Sequence, residues 1–343
     1  MSRLRGAMKP DLSVIIPVFE RVAELTTCLS GLISHLEGIR AEIFVIDDAS
    51  PTDEVKRTAL KFGAKFFRIN QRCGSAYCKN VGINHSSADV LLFLDSDIEF
   101  LSSTSLPGMI DLLTETPRCG QVGGEALIDS SGQLTYIFGR NINSETGRSR
   151  CDYFAVDHYV SPIQYDYVPT SNCMVKRADA ISINGFDDYY PVLGEDKDFG
   201  YRLALLGLRS YVTPYSVVLH HFALTGRQGN QLDKQYRTQV RFCLRHYGPG
   251  SVAKLFRQEV QESSESSTKP KAIHRHEPIK AFEERFASEI LRIKPGDAFS
   301  TTGTTARRLR LLRAVAWNLF HPVGLRRQGS GRVPLITETE ANS

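Results

Sequence analysis

Three short apolar runs near the start of this chain stop abruptly at polar, mostly acidic residues, with segments of helical period between them. Leu12 to Pro17 runs into Val18-Phe19-Glu20, Ile43 to Ile46 into Asp47-Asp48-Ala49-Ser50-Pro51, and Val90 to Leu94 into Asp95-Ser96-Asp97. After the first run, Leu25, Cys28, Leu29, Leu32, Ile33 and Leu36 recur at the spacing of an amphipathic helix, which Gly38 is placed to close. Asp53 to Phe62 predicts a second helix, Lys65 to Ile69 a further strand and Ser75 to His85 a third helix. Strands that alternate with helices in this way build βαβ units and a largely parallel sheet. In such a sheet ligands sit beyond the carboxyl ends of the strands, where helix N-termini also point. The acidic strand ends are therefore the place to look for chemistry.

Farther along, from about Val122 to Pro169, strands become shorter and more aromatic. Glu195 to Leu206 predicts another helix, and strands around Arg209 to Val212 and Val217 to His221 close the ordered part. No apolar run approaches the ~20 residues that span a bilayer, and no apolar stretch follows the basic N-terminus, so no secretion signal is read. The 7 cysteines are odd in number and lack a CxxC pair. They read as reduced thiols of a cytoplasmic protein rather than as a disulfide framework or a zinc ribbon. Residues 251 to 343 hold 16 Lys+Arg against 10 Asp+Glu, which leaves 26 against 28 for residues 1 to 250. The basic excess belongs to the tail, which argues against nucleic acid as a partner.

Asp95 and Asp97 stand one residue apart at the end of a strand, so an extended segment puts both carboxylates on one side. Hard divalent cations take oxygen ligands, so the pair suits Mg2+ or Mn2+ set against a diphosphate; it also suits two solvated aspartates in a turn. Asp47 and Asp48 fit acceptors for a ribose or a base, or an Asx turn before the next helix. In Asn70 to Gly82, Gly74 lets the backbone approach a phosphate while Arg72 and Lys79 offer positive charge. The segment lacks GxGxxG and GxxxxGK[ST] spacing, which argues against a dehydrogenase or a P-loop enzyme. Glu195 and Asp196 open a helix, where the dipole alone favours acids; in a functional reading one of them is a general base. Asp198 and Arg202, at i and i+4, predict an intrahelical pair.

Taken in order, these pieces resemble family 2 glycosyltransferases over roughly Asp11 to Thr225. The resemblance rests on Ser13 to Phe19, Ile46 to Ser50, Gly74 to Gly82, Asp95-Ser96-Asp97, Gly185-Phe186-Asp187-Asp188, Glu195 to Phe199 with Arg202, and Val217 to His220. It implies an α/β fold of GT-A type: a Rossmann-like, mostly parallel sheet with helices on both faces. It implies transfer of a hexosyl or deoxyhexosyl group, with inversion, from a nucleotide-diphosphate sugar to a glycan or lipid-linked hydroxyl, and a rhamnosyltransferase-like subgroup is within its range. Pro17, Phe19, Glu20, Asp47, Asp48, Gly74, Lys79 and Asp95 then serve the donor nucleotide, and Asp97 and His220 the metal. His221 beside it leaves open which imidazole is used. Asp196 takes the proton of the acceptor hydroxyl, with Glu195 beside it. Departures from the family pattern are Glu20 for the usual Asn, Cys78-Lys79-Asn80 for Ala-Arg-Asn, and Ser171-Asn172-Cys173-Met174 for a Gly-rich stretch.

Two rivals share such a domain: a sugar nucleotidyltransferase and a non-catalytic carbohydrate-binding scaffold. The first calls for a Gly-rich loop after the first strand, and Val18 to Arg21 contains no glycine. The expected layout is a catalytic domain over 1–250, with a donor half at about 10–100 and an acceptor half at about 101–250. A flexible linker over 251–300 and a basic helical tail over 301–343 follow. From Arg307 to Arg332 there are seven arginines and no acids, with Leu311, Leu312, Val315 and Leu319 as an apolar stripe. That segment reads as a solvated helix or as one drawn to anionic lipid at the cytoplasmic membrane face.

Overall fold

The structure is a computed structural model that describes residues 9–128, 134–154, 161–190, 193–221, 231–248, 250–252, 254–255 and 337–339. Its first half alternates β1 (Leu12–Val18), α1 (Val22–Ser34), β2 (Ala41–Asp47), α2 (Glu54–Lys61), β3 (Lys65–Arg68), α3 (Ser75–His85) and β4 (Val90–Leu94). Then come β5 (Ile98–Phe100), α4 (Leu106–Glu115), β6 (Cys119–Gly123), β7 (Glu125–Ile128), β8 (Leu134–Ile142), β9 (Ser149–Phe154) and β10 (Ile163–Tyr165). The rest comprises β11 (Asn172–Lys176), α5 (Arg177–Ser182), α6 (Glu195–Leu205), β12 (Arg209–Val212), β13 (Val218–His220), α7 (Gln231–His246) and β14 (Thr337–Thr339).

The main sheet runs β10-β12-β6-β11-β4-β1-β2-β3-β14. Its heart, β4-β1-β2-β3, is parallel, and β11 enters antiparallel between β4 and β6. Because side chains alternate across a strand, the apolar runs divide into two cores. Leu12, Val14, Ile16, Val45 and Leu92 face α1, α2 and α4, while Ile15, Phe44, Ile46, Leu91 and Phe93 face α3, α5 and α6. A smaller sheet, β5-β13-β7-β8-β9, stands beside it. The antiparallel β5–β13 pair puts His220 opposite Ile98.

The predicted α3 and β4 have the bounds read from the sequence, and the other early elements agree to within two residues. Two differences stand out. Helix α1 ends at Ser34 rather than near Gly38, with His35 at its cap and the His35 imidazole against the Gly31 and Leu101 carbonyls. The ordered part does not close at His221, because α7 follows it. Residues 250–252 and 254–255 are also helical, with Leu255 fully buried. Of the tail, 337–339 form an edge strand on β3; the rest of the linker and the Arg307 to Arg332 segment lie outside the described residues.

Helix α3 lies close on β1, and a Cβ built at Gly82 would run into the side chain of Ile15. Gly82→Ala gains roughly 1 kcal/mol of helix propensity but overpacks the core, which costs about 1–3 kcal/mol and is expected to win. Urea unfolding of Gly82→Ala should show a lower midpoint than wild type. An unchanged midpoint would show that helix and strand are not in close contact here.

Candidate active site

Strand β4 delivers Asp95 and Asp97 to the edge of the sheet, where the Asp95 N–H donates to the Ser171 carbonyl at 2.9 Å. Asp97 is 5% exposed, and a guanidinium and an imidazole approach it from different elements. Arg21, in the turn after β1, donates to Asp97 Oδ2 at 2.6 Å. His220, on β13, lies 3.2 Å from Asp97 Oδ1 and 3.9 Å from Asp95 Oδ2. Strand alternation sends the next histidine the other way, and His221 pairs with Glu99 at 2.6 Å. Burial alone would raise the Asp97 carboxyl, but the hydrogen bond from His220 and the charges of His220 and Arg21 hold it below its ordinary value. The ligand atoms of Asp95, Asp97 and His220 all lie within 4.8 Å of one another. An oxygen-rich set with one imidazole fits a divalent cation such as Mn2+ or Mg2+.

Lys79 links this cluster to the opening of α6. Its side chain is 2% exposed; Nζ donates to Thr170 Oγ1 at 2.7 Å, and lies 3.7 Å from Asp95 and 4.0 Å from Glu195. Burial pushes Glu195 up to about 7, with Lys79 opposing and Asp196 and Asp95 adding to the rise. Asp196 is half-buried and accepts the Lys197 N–H at 2.7 Å. Gly194, in the left-handed region at φ 94°, starts this helix, a backbone that suits glycine.

The remaining predicted residues line the ends of β1 and β2. Phe19 is half-buried beneath the Arg72 guanidinium, whose Cζ stands 3.4 Å from the ring centre, and Pro17 pairs with Ile46. Glu20 is exposed, and its N–H donates to Ser50 Oγ. Asp48 accepts from Arg72 Nε at 3.0 Å and from the Cys73 and Gly74 N–H groups, which fixes the loop before α3. Asp47 is fully buried, accepting from the Ser50 N–H and from Arg68 Nε at 2.8 Å.

Sequence reasoning did not single out Arg21, Thr170, Arg241 or Arg245. Arg21 had a weak signal, as the cation next to Glu20. Arg241 and Arg245 stand at i and i+4 on α7, which was not anticipated as a helix. Asn80, noted only as part of a motif, grips Phe186 by two hydrogen bonds, Nδ2 to its carbonyl at 2.9 Å and Oδ1 from its N–H at 2.8 Å.

Residues 13–176 match the family model described as Glycosyl transferase family 2. The chain is 22% identical over 230 residues to the O-antigen biosynthesis protein RfbC of Myxococcus xanthus, an alignment covering 64% of this chain and 18% of that protein. It is 30% identical over 153 residues to the GalNAc(5)-diNAcBac-PP-undecaprenol beta-1,3-glucosyltransferase of Campylobacter jejuni, covering 42% of this chain and 47% of that one. The chain thus spans less than half the length of either relative. Among solved structures, GalNAc-T7 with UDP, GalNAc and Mn2+ superposes with a TM-score of 0.59 at 16% identity, over 82% of this chain and 55% of that one. The fold is of GT-A type. No helix among the described residues is long and apolar enough to cross a membrane.

A raised carboxyl makes Glu195 a pH-dependent cost to folding. As pH climbs from about 5 to 8, the unfolded chain releases this proton first, so wild type should lose stability relative to Glu195→Gln by on the order of 2–3 kcal/mol. Urea midpoints of the two proteins at pH 5 and pH 8 check this; a difference that stays flat with pH would remove the buried, raised carboxyl.

Proposed function

We propose, from the match of residues 13–176 to the family model described as Glycosyl transferase family 2, that this chain transfers a hexosyl or deoxyhexosyl group from a nucleoside diphosphate sugar to a hydroxyl of a glycan or lipid-linked saccharide. The observation that carries the reading is one juxtaposition: the buried Lys79 ammonium stands between Asp95, of the metal-ligating cluster, and Glu195, at the opening of α6. A site for a diphosphate and a site for a proton acceptor thus share one small region. The two relatives, one named for O-antigen biosynthesis and one for glucosyl transfer to GalNAc(5)-diNAcBac-PP-undecaprenol, support the acceptor class.

In this reading Pro17, Phe19 and Glu20 border the nucleoside, and Asp47, Asp48, Gly74 and Lys79 serve the donor directly or through the loop they brace. Asp95, Asp97 and His220 would hold Mn2+ or Mg2+, which when bound supplies positive charge toward the departing diphosphate. Asp196 takes the proton of the acceptor hydroxyl as its oxygen bonds to the anomeric carbon. The bond from that carbon to the diphosphate oxygen breaks, and the nucleoside diphosphate leaves with the electron pair. One displacement from the opposite side inverts the centre. Glu195, set against Lys79, tunes the charge beside Asp196.

We read residues 1–250, extended by the helical residues up to Leu255, as the catalytic unit, the rest of 251–300 as a linker, and the Arg307 to Arg332 part of 301–343 as a basic helix that rests on the cytoplasmic membrane face. Sedimentation with anionic vesicles at low salt should carry down the full chain and not a version lacking residues 300–343. Equal behaviour of the two, or no binding by either, would sink the membrane reading.

Calorimetric titration with UDP, dTDP and GDP, each with Mn2+ or EDTA, tests the donor site. One nucleotide should bind with Mn2+, and EDTA or Asp97→Ala should weaken it by at least about tenfold, the loss of more than 1.4 kcal/mol expected for a lost ligand. Binding by none of the three would return the scaffold reading to first place.

A further inference from the structure

Helix α7 packs against the opening turns of α6 and engages Gly194, Lys197, Asp198 and Tyr201. A Cβ at Gly194 would collide with the Thr238 methyl, so α7 lies directly on the first residue of the turn. Lys197 is buried, its Nζ donating to Gln239 Oε1 at 2.8 Å and to the Gly147 carbonyl at 3.0 Å, beside the Phe242 ring. Tyr201 meets the Phe242 ring edge-on and the His246 ring at a tilt. Asp198 is fully buried and takes Arg202 Nε at 2.7 Å, His246 Nε2 at 2.8 Å and Arg245 Nη1 at 3.2 Å. Burial opposes its ionisation, but Arg202, His246 and Arg245 together hold its carboxyl well below the usual range.

The same arginine reaches a second acid. Arg245 Nη1 lies 2.7 Å from Asp187 Oδ2, and the fully buried Arg241 grips Asp187 through Nε at 2.8 Å and Nη2 at 3.1 Å. Asp187 and Asp198 bracket the segment that leads into Glu195 and Asp196. Arg245 therefore ties both ends of it to α7, while Asn80 anchors its neighbour Phe186 to the donor-side helix. A network of two acids, three arginines and a histidine, this deep, is a poor device for stability alone, because desolvation offsets much of the attraction. It is a good device for fixing a geometry, since guanidinium forks hold carboxylates in direction as well as distance.

We infer that Arg241 and Arg245 are positioning residues for the transfer step: by clamping Asp187 and Asp198 to α7 they set where the first turn of α6, and so Asp196, stands relative to the donor. This rests on the sugar-transfer reading, because only there does Asp196 act on a proton. Misplacing a catalytic group by about 1 Å costs up to about a hundredfold in rate without a matching loss of binding.

The test compares Arg245→Met with wild type in three measurements. Nucleotide binding with Mn2+ should stay within about twofold. Release of nucleoside diphosphate from the UDP-, dTDP- or GDP-sugar whose nucleotide binds should fall between about tenfold and a hundredfold in kcat, with little change in KM for the donor. Hydrogen exchange of the 195–199 amides should quicken while the exchange of β1 and β4 stays as in wild type. Unchanged exchange at 195–199, or quicker exchange with unchanged kcat, would overturn the inference, and exchange decides by itself if no donor in the panel turns over. If wild type binds no nucleotide, the sugar-transfer reading fails first, a result distinct from these. Should Arg245→Met lose the fold, Arg241→Met/Asp187→Asn replaces the buried pair with neutral side chains and is read in the same three ways.

Discussion

The Asp97 carboxylate is the point on which the site depends. It is nearly buried, and a buried carboxylate without partners costs several kcal/mol, so Arg21 and His220 are structural requirements as well as neighbours. Arg21 comes from the turn after β1, where Glu20 and Arg21 both hold positive φ, at 61° and 26°. Such backbone persists only when its surroundings over-determine it, and here Ser50 takes the Glu20 N–H while Asp97 takes the Arg21 side chain. His220 comes from the other sheet, and the His221 N–H donates to the Asp97 carbonyl at 3.0 Å. One aspartate thus joins the first loop, the end of β4 and the second sheet.

Lys79 makes the second connection, from the cluster to α6. The helix that carries it also carries Asn80, whose side chain imitates a strand partner for Phe186. Phe186 stacks on Phe199 of α6 at 4.2 Å, with Phe93 of β4 edge-on at 5.1 Å. A continuous aromatic core therefore runs from the strand that ends in Asp95 and Asp97 to the helix that opens with the acidic pair. The acidic cluster at the end of β4 and the opening of α6 are two edges of one packed body.

Much of this was legible one strand at a time. The apolar run Val90 to Leu94 ending in Asp95-Ser96-Asp97 announced a buried strand and two carboxylates at its end, because burial and period are local properties of sequence. The acidic end of β2 was equally legible as a place, but not as a set of contacts: Asp47 is spent on Arg68 and Ser50, and Asp48 on the loop before α3. Which of His220 and His221 meets Asp97 followed from strand register, which the pattern Val217 to His221 left open. Helix α7 was missed because its stretch is strongly hydrophilic and reads as surface, although Arg241 is fully buried. Its arginines meet acids 54 and 58 residues earlier in the chain.

By itself, the sequence determined the elements and their faces: alternation in the strands, helical spacing between them, and the acidic residues stranded where each apolar run ends. Tertiary structure alone decided the pairings. Arg21 and Asp97 are 76 residues apart, and Lys79 and Thr170 are 91 apart. The physical reason is that helical and strand periods arise from bonds among near neighbours. A buried charge, by contrast, takes whichever partner the strand order brings within 3 to 4 Å, and that order belongs to the folded chain as a whole.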